Sequence, residues 1–207
     1  MTPQQFAREL LAIGAVKFSP RDPFKYASGL RGPIYCDNRK ILGHPKLREQ
    51  AAQGLVKLVR QSAVEFDQIC GLATAGIPHG ALVAHLLGSP FCYIRSSAKE
   101  HGKGNLLEGD CSAGQRVVLV EDLVNQASSM RKAFEALVSL SIRVTGAFAL
   151  VDYQMASSKK FFEQNSLVLN SMTNFSVLVE EALQNRFLEK SDEHLLKEWH
   201  NNPEAWS

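Results

Sequence analysis

The sequence predicts an α/β protein built on a parallel sheet with helices on both faces. Strands and helices alternate from residue 68 to residue 151, the pattern of strand-helix-strand units. The strands read as continuous apolar runs rather than alternating ones, as strands buried on both faces do. Three loops, TAGIPHG, SSAKEHGKGNLLEG and EDLVNQASS, leave the carboxyl ends of successive strands. Open parallel sheets bind ligands at that edge.

The elements follow in order. Phe6, Leu10, Leu11 and Ile13 mark a helix over 3–13, which Thr2 or Pro3 starts and Gly14 ends. Residues 15–40 are rich in Pro, Gly and Ser and hold one short strand, Ile34–Cys36. Pro45 opens a helix over 45–62, with a stripe through Leu47, Ala51, Leu55, Leu58 and Val59. Strands are predicted at Gln68–Ala73, Phe91–Arg95, Arg116–Val120 and Arg143–Val151, with a fifth near 166–172. Helices are predicted after TAGIPHG through Leu87, over 130–141, and along the tail from 174 to 199. Met172, Trp199 and Trp206 are expected to pack. The tail acids Glu180, Glu181, Glu189, Asp192 and Glu193 read as solvated faces.

Composition bounds the function. The 207 residues suit one domain with a real core. A hydrophobic content of 45% and a charged content of 21% are ordinary for a globular chain. A net charge of +2 asks for neither nucleic acid nor membrane. No run reaches the roughly 18 apolar residues of a membrane span, and the amino terminus lacks the features of a signal peptide. Cys36, Cys70, Cys92 and Cys111 form no C-x-x-C pair, which argues against zinc and thioredoxin-type sites. They read as reduced thiols of a cytoplasmic protein.

The loops carry chemistry. In TAGIPHG, Thr74, Gly76 and the neighbouring amides suit an anion at a helix start. The second loop gathers Arg95, Lys99, His101 and Lys103 among three glycines. Arg clamps phosphate as a fork, Lys and His act as point charges, and the glycines suit a lid. In the third, Glu121 and Asp122 end an apolar strand ahead of a helix. A carboxylate pair there suits a ribose diol or a hydrated magnesium ion.

These three loops resemble those of the type I phosphoribosyltransferases, and more narrowly of the orotate phosphoribosyltransferases. PIYCDNR with KEHGKGN is the specific part, ATAGIPHG and VVLVEDL agree with it, and the resemblance spans nearly the whole chain. It implies a type I phosphoribosyltransferase fold, a parallel sheet flanked by helices with a small N-terminal hood. One domain covers 1–207, with 1–40 giving the hood and orotate segment and 174–207 a helical tail. It implies transfer of phosphoribosyl from 5-phosphoribosyl 1-diphosphate (PRPP) to orotate, giving orotidine 5′-phosphate in pyrimidine synthesis. Mg2+ is held mainly through PRPP, with Glu121 and Asp122 as further candidates. It also implies a homodimer with shared active sites, in which the loop with Lys99 and His101 reaches the neighbour's site.

Carried over by position, Lys99, His101 and Asp122 are the catalytic residues. Arg95, Lys99 and His101 meet the diphosphate end of PRPP, and Glu121 and Asp122 the ribose hydroxyls. Leu123 and Val124 lead into Asn125, Gln126, Ala127, Ser128 and Ser129, the place of the 5′-phosphate cradle. Asn125, Ser28 and Gly29 lie toward orotate.

The cradle departs from the family. Its pattern there is a hydroxyl residue, then Thr, Gly, Gly and Ser; here it reads Asn125, Gln126, Ala127, Ser128, Ser129. Glycine admits left-handed torsions and close approach to phosphate, so the Ala127 Cβ is expected to crowd the turn. The missing Thr hydroxyl removes a hydrogen bond to a charged group worth about 1.5–3 kcal/mol, which Gln126 partly replaces. Ser97 stands where the related branch has Lys, and Ala27 at a position where that branch commonly lacks one. Three readings follow: an active orotate phosphoribosyltransferase, an impaired paralog that binds nucleotide or a protein, and a transferase for another base, against which PIYCDNR argues.

Overall fold

The computed structural model describes residues 1–26, 29–96, 106–204 and Trp206. The expectations placed on Ser28 and on Ser97 to Asn105, Lys99 and His101 among them, lie outside the described residues. The chain gathers into two compact units, Glu49–Met172 and the pair of segments Met1–Arg48 and Thr173–Ser207. In chain order the elements are α1 (Pro3–Ala12), β1 (Val16–Phe18), β2 (Phe24–Lys25), β3 (Arg31–Gly32), β4 (Ile34–Cys36), α2 (Pro45–Gln61), β5 (Gln68–Leu72), α3 (Gly76–Leu87), β6 (Phe91–Ile94), β7 (Leu107–Glu108), β8 (Arg116–Val124), α4 (Ser128–Ser139), β9 (Arg143–Asp152), α5 (Ala156–Gln164), β10 (Leu169–Asn174), α6 (Phe175–Gln184) and α7 (Glu193–Asn201).

The terminal segments make the first unit. Thr2 caps α1: its Oγ1 accepts from the Gln5 amide, while Gln5 Oε1 accepts from the Thr2 amide, a closed capping box. Two short antiparallel pairs follow, β1 with β4 and β2 with β3; only β4 stood out from sequence. The tail is two helices rather than one, α6 and α7, joined through a 3-10 turn at Lys190–Asp192. Trp199 is buried and lies 5.7 Å from Phe175. Two of the tail acids expected in solvent are not there. Glu181 and Asp192 are buried, because Arg8 reaches Glu181 at 3.4 Å and Arg21 reaches Asp192 at 3.0 Å. Partners more than a hundred residues away neutralise them, which no local pattern reveals.

The second unit holds a six-stranded sheet in the order β10-β9-β8-β5-β6-β7. Strands β6, β5, β8 and β9 are parallel, and β7 is an antiparallel edge on β6. The faces divide by residue parity. Cys70, Leu72, Val117, Leu119, Ala147 and Ala149 form one cluster with Met130 and Ala133 of α4 and Phe161 of α5. On the other face Gly71 meets α3. A Cβ on Gly71 would stand 3.0 Å from the Ile77 Cα, and one on Gly80 would stand 3.2 Å from the Gly71 Cα. Bare backbone on strand and helix lets α3 sit directly on the sheet. Every residue of β5 is buried, and so are Val117 to Val120, as parallel strands between helical layers require. All four cysteines are free. No helix among the described residues is long and apolar enough to cross a membrane.

Helix α5 was not expected from sequence, and two boundaries beside the site differ from expectation. Strand β8 continues past the acids to Val124, because Glu121, Leu123 and Val124 stay in register with Ala149, Val151 and Asp152. Helix α4 starts at Ser128 rather than 130, so the cradle is shorter than its sequence suggested.

At the opposite edge of the sheet Arg116 binds Asp67 in a fork, through Nη2 at 2.8 Å and Nε at 3.2 Å. These bonds hold the Asp67 carboxyl down at about 2. A depressed carboxylate stabilises the fold above its unfolded pKa and loses that contribution as pH falls through the folded one. Asp67→Asn should therefore melt below the wild type at neutral pH. The gap should close as pH is lowered from about 5 toward about 2; a gap that stays constant in melting curves over that range contradicts the assignment.

Candidate active site

The carboxyl edge of the sheet brings together the turn after β5, the end of β6 and the end of β8. Strand β5 ends at Leu72, and the Ala73 amide bonds to the Ile94 carbonyl at 2.8 Å. The Ala73–Thr74 peptide is cis. The chain then enters α3 at Gly76, hard against the end of β8. A Cβ on Gly76 would lie 2.5 Å from the Val120 carbonyl oxygen and 3.2 Å from Glu121 Oε1. Only glycine fits there, so the turn expected to face an anion is pinned to the acid pair.

The two acids differ sharply. Asp122 is half-buried. Glu121 is only 5% exposed: its Oε1 accepts from the Asp122 amide at 3.0 Å and its Oε2 from the Ser129 hydroxyl at 3.1 Å. Burial first, then the neighbouring Asp122, pushes the Glu121 carboxyl well above the usual range. Leu123 and Val124 belong to the strand, and the Val124 carbonyl accepts from the Tyr153 amide at 2.8 Å.

The cradle then turns through torsions that glycine adopts freely. Ala127 sits in the left-handed region at φ 59°, ψ 23°, as the residue before α4. Its Cβ is accommodated, at the cost an L-residue bears in that conformation, about 1–2 kcal/mol. Ser128 and Ser129 are exposed at the first turn of a 12-residue helix, where amides lacking intrahelical partners and the helix dipole favour an anion. The Asn125 Oδ1 is buried without a hydrogen-bond partner among the described residues.

Arg95 follows β6, with its guanidinium 3.4 Å from Glu108 of β7. A cavity of about 480 Å3 runs from Arg95 along the flank of α4 to Ser128 and Ser129, with Leu72 and Lys132 in its wall. Glu121 and Asp122 do not line it. Lys132 was not singled out from sequence, where a lone Lys on a helix looks like a solvated face. Its spacing of four residues from Ser128 puts it on the cradle side of α4. His79 of α3 is fully buried, and neither ring nitrogen has a hydrogen-bond partner among the described residues. Burial pushes it down to about 4, so it stays neutral and offers no proton at neutral pH. Gly29 lies between β2 and β3 in a left-handed turn at φ 87°.

A parallel sheet whose carboxyl edge joins an acid pair to a helix amino terminus defines an α/β protein built for a phosphorylated sugar. Comparison with known proteins agrees. The phosphoribosyl transferase domain family matches residues 38–177. The orotate phosphoribosyltransferase of Listeria monocytogenes is 46% identical over 203 residues, covering 98% of this chain and 97% of that one. That of Enterococcus faecalis is 42% identical, with the same coverage. The crystal structure of orotate phosphoribosyltransferase from Aeropyrum pernix superposes with a TM-score of 0.74 at 31% identity, covering 85% of this chain and 97% of that one. The chain belongs to the type I phosphoribosyltransferase family, in its orotate phosphoribosyltransferase branch.

Replacing Ala127 by glycine relieves the left-handed residue and returns part of the gain to the freer unfolded chain. The variant also loses a buried methyl, which costs about 0.8 kcal/mol and offsets most of the remaining gain. Calorimetry of Ala127→Gly should therefore show a melting temperature within roughly 3 °C of the wild type; a fall well beyond that would mean that the turn holds no left-handed strain to relieve.

Proposed function

We propose that the protein transfers the phosphoribosyl group of PRPP to N1 of orotate, giving orotidine 5′-phosphate and diphosphate in de novo pyrimidine synthesis. The observation that carries this is the meeting of Asp122, the amino terminus of α4 and the Gly76 turn at one edge of one sheet. Each supplies what one part of PRPP needs: a carboxylate for the ribose diol, helix amides and Ser hydroxyls for the 5′-phosphate, and a tight backbone turn toward the diphosphate.

The chemistry is a displacement at the anomeric carbon. The bond from orotate N1 to that carbon forms as the N1 proton passes to water. The bond to diphosphate oxygen breaks, and the leaving group departs with the electron pair. Positive charge grows on the ribose ring, so the protein's work is to fix the sugar and neutralise the diphosphate. Asp122 fixes the sugar. Arg95 serves the diphosphate, joined through the family resemblance by Lys99 and His101. Asn125 carries a buried acceptor without a partner, which suits an N–H of the base or of a neighbouring ligand group. The left-handed Ala127 supports a cradle that keeps its turn, and so an active enzyme over an impaired paralog.

Mg2+ is best written as part of the substrate. Among the described residues no cluster of three or more His, Cys, Asp or Glu could hold an ion, and both Glu121 oxygens are already engaged. Magnesium keeps several waters and favours substrate phosphates, so it enters with the PRPP diphosphate. The reading includes a homodimer with shared sites and a cytoplasmic location, the latter supported by four free thiols.

The test is formation of orotidine 5′-phosphate from orotate, PRPP and Mg2+. Product should depend on the metal, and Asp122→Asn should lower kcat/KM by about tenfold to 200-fold. With shared sites, mixing the weakened Asp122→Asn and Lys99→Ala subunits should give more activity than either variant alone. No product from the wild type, together with no rise in melting temperature on adding PRPP, refutes the reading.

A further inference from the structure

A phosphate dianion held at the start of α4 needs positive charge, and the cradle from Asn125 to Ser129 has no basic side chain. The amino end of a helix supplies only about half an elementary charge. The Ser129 hydroxyl is already bonded to Glu121 at 3.1 Å, and the end of β8 brings two carboxyls, Glu121 and Asp122, rather than a cation. The counter-charge has to come from a side chain farther along. Helix α4 carries two cations after its first turn, Arg131 and Lys132. Arg131 is engaged elsewhere, with its guanidinium carbon 4.8 Å from the centre of the Phe161 ring on α5. Lys132 instead lines the cavity of about 480 Å3 with Ser128 and Ser129.

We propose that Lys132 binds the 5′-phosphate of PRPP and of the nucleotide product, reaching back along α4 to close the cradle with a full positive charge. The assignment rests on the reading of this edge as the PRPP site, and adds to it a residue that selects a phosphorylated sugar over a bare one. Geometry favours the reach. Lys132 stands four residues after Ser128 and three after Ser129, on the same helix face. Side chains of a helix lean toward its amino terminus, and a lysine stem covers one turn, about 5.4 Å. Among the described residues Lys132 makes no ion pair. The other charged groups on the cavity wall are Arg95, which is paired with Glu108 at 3.4 Å, and Glu135, which stands three residues farther from the cradle. An ammonium on a long stem acts as a point charge without fixed geometry, so it can add charge where the amides of the turn already set the position.

Calorimetric titration of the full chain with orotidine 5′-phosphate and with orotidine separates a phosphate contact from general damage, because the two ligands differ only in the phosphate. Lys132→Ala and Lys132→Gln should each weaken binding of the nucleotide by about tenfold or more, and the loss should be confined to the nucleotide. Lys132→Arg keeps the charge and should lose less than Lys132→Gln. The gap between wild type and Lys132→Gln should narrow as salt is raised from about 50 mM to about 500 mM, since the cation is exposed. Both substitutions suit an exposed helix position; should Lys132→Ala fail to fold, Lys132→Gln, which keeps most of the stem, still decides. Nucleotide affinity unchanged in the Gln variant overturns the proposal, and so does an equal loss for nucleotide and nucleoside, which would make Lys132 structural. A wild type that shows no preference for the nucleotide overturns the cradle reading and Lys132 with it. A wild type that prefers the nucleotide, beside a Gln variant with the same preference, overturns the role of Lys132 alone.

Discussion

The approach of the Gly76 backbone to the Val120 carbonyl sets the spacing on which the rest of the site depends. A Cβ at Gly76 would fall 2.5 Å from that oxygen, a separation real side chains do not adopt. The contact is possible because α3 already lies directly on β5, where Gly71 and Gly80 let helix and strand touch. Packing on one face of the sheet thus places the start of α3 beside the end of β8. The turn after β5 and the acids of β8 become neighbours through backbone contact alone. At the same edge the buried Glu121 carboxyl accepts from the Ser129 hydroxyl of the cradle.

The turn from Asn125 to Ser129 keeps its reversal without the glycines of its family's pattern. Phosphate recognition at a helix start needs free amides and a chain that reverses sharply just before them. Glycine is the common means because it enters left-handed torsions without strain. Here the reversal is kept and the glycine is not: Ala127 carries the left-handed torsions. A small Cβ is the most that such a turn tolerates cheaply, which is why Ala stands there rather than a branched residue. Ser129 then does two jobs, facing the helix start and bonding Glu121.

Much of the fold was legible in sequence because it follows from local rules. Apolar runs of strand length gave the central strands, helical stripes gave α1 and α2, and Thr2 and Pro45 marked their starts. The order of the three loops pointed to the binding edge. What sequence hid was non-local. Strand β8 runs on through Glu121 to Val124 because β9 stays in register beside it, and an acid after an apolar run gives no sign of that. Strand β7 is two residues long and exists only as a partner for Tyr93 and Ile94. Glu181 and Asp192 looked solvated because Arg8 and Arg21, which neutralise them, lie at the far end of the chain. The acid pair looked like two equal ligands, and only burial separates Glu121 from Asp122.

The claim at the centre of this account is that the rewritten turn from Asn125 to Ser129 still holds a 5′-phosphate. Isothermal titration of the protein with orotidine 5′-phosphate and with orotidine, which differ only in that group, tests it most directly. A working cradle should bind the nucleotide at least about 100-fold more tightly than the nucleoside, since several hydrogen bonds to a dianion are at stake. Equal affinities for the two would contradict the account.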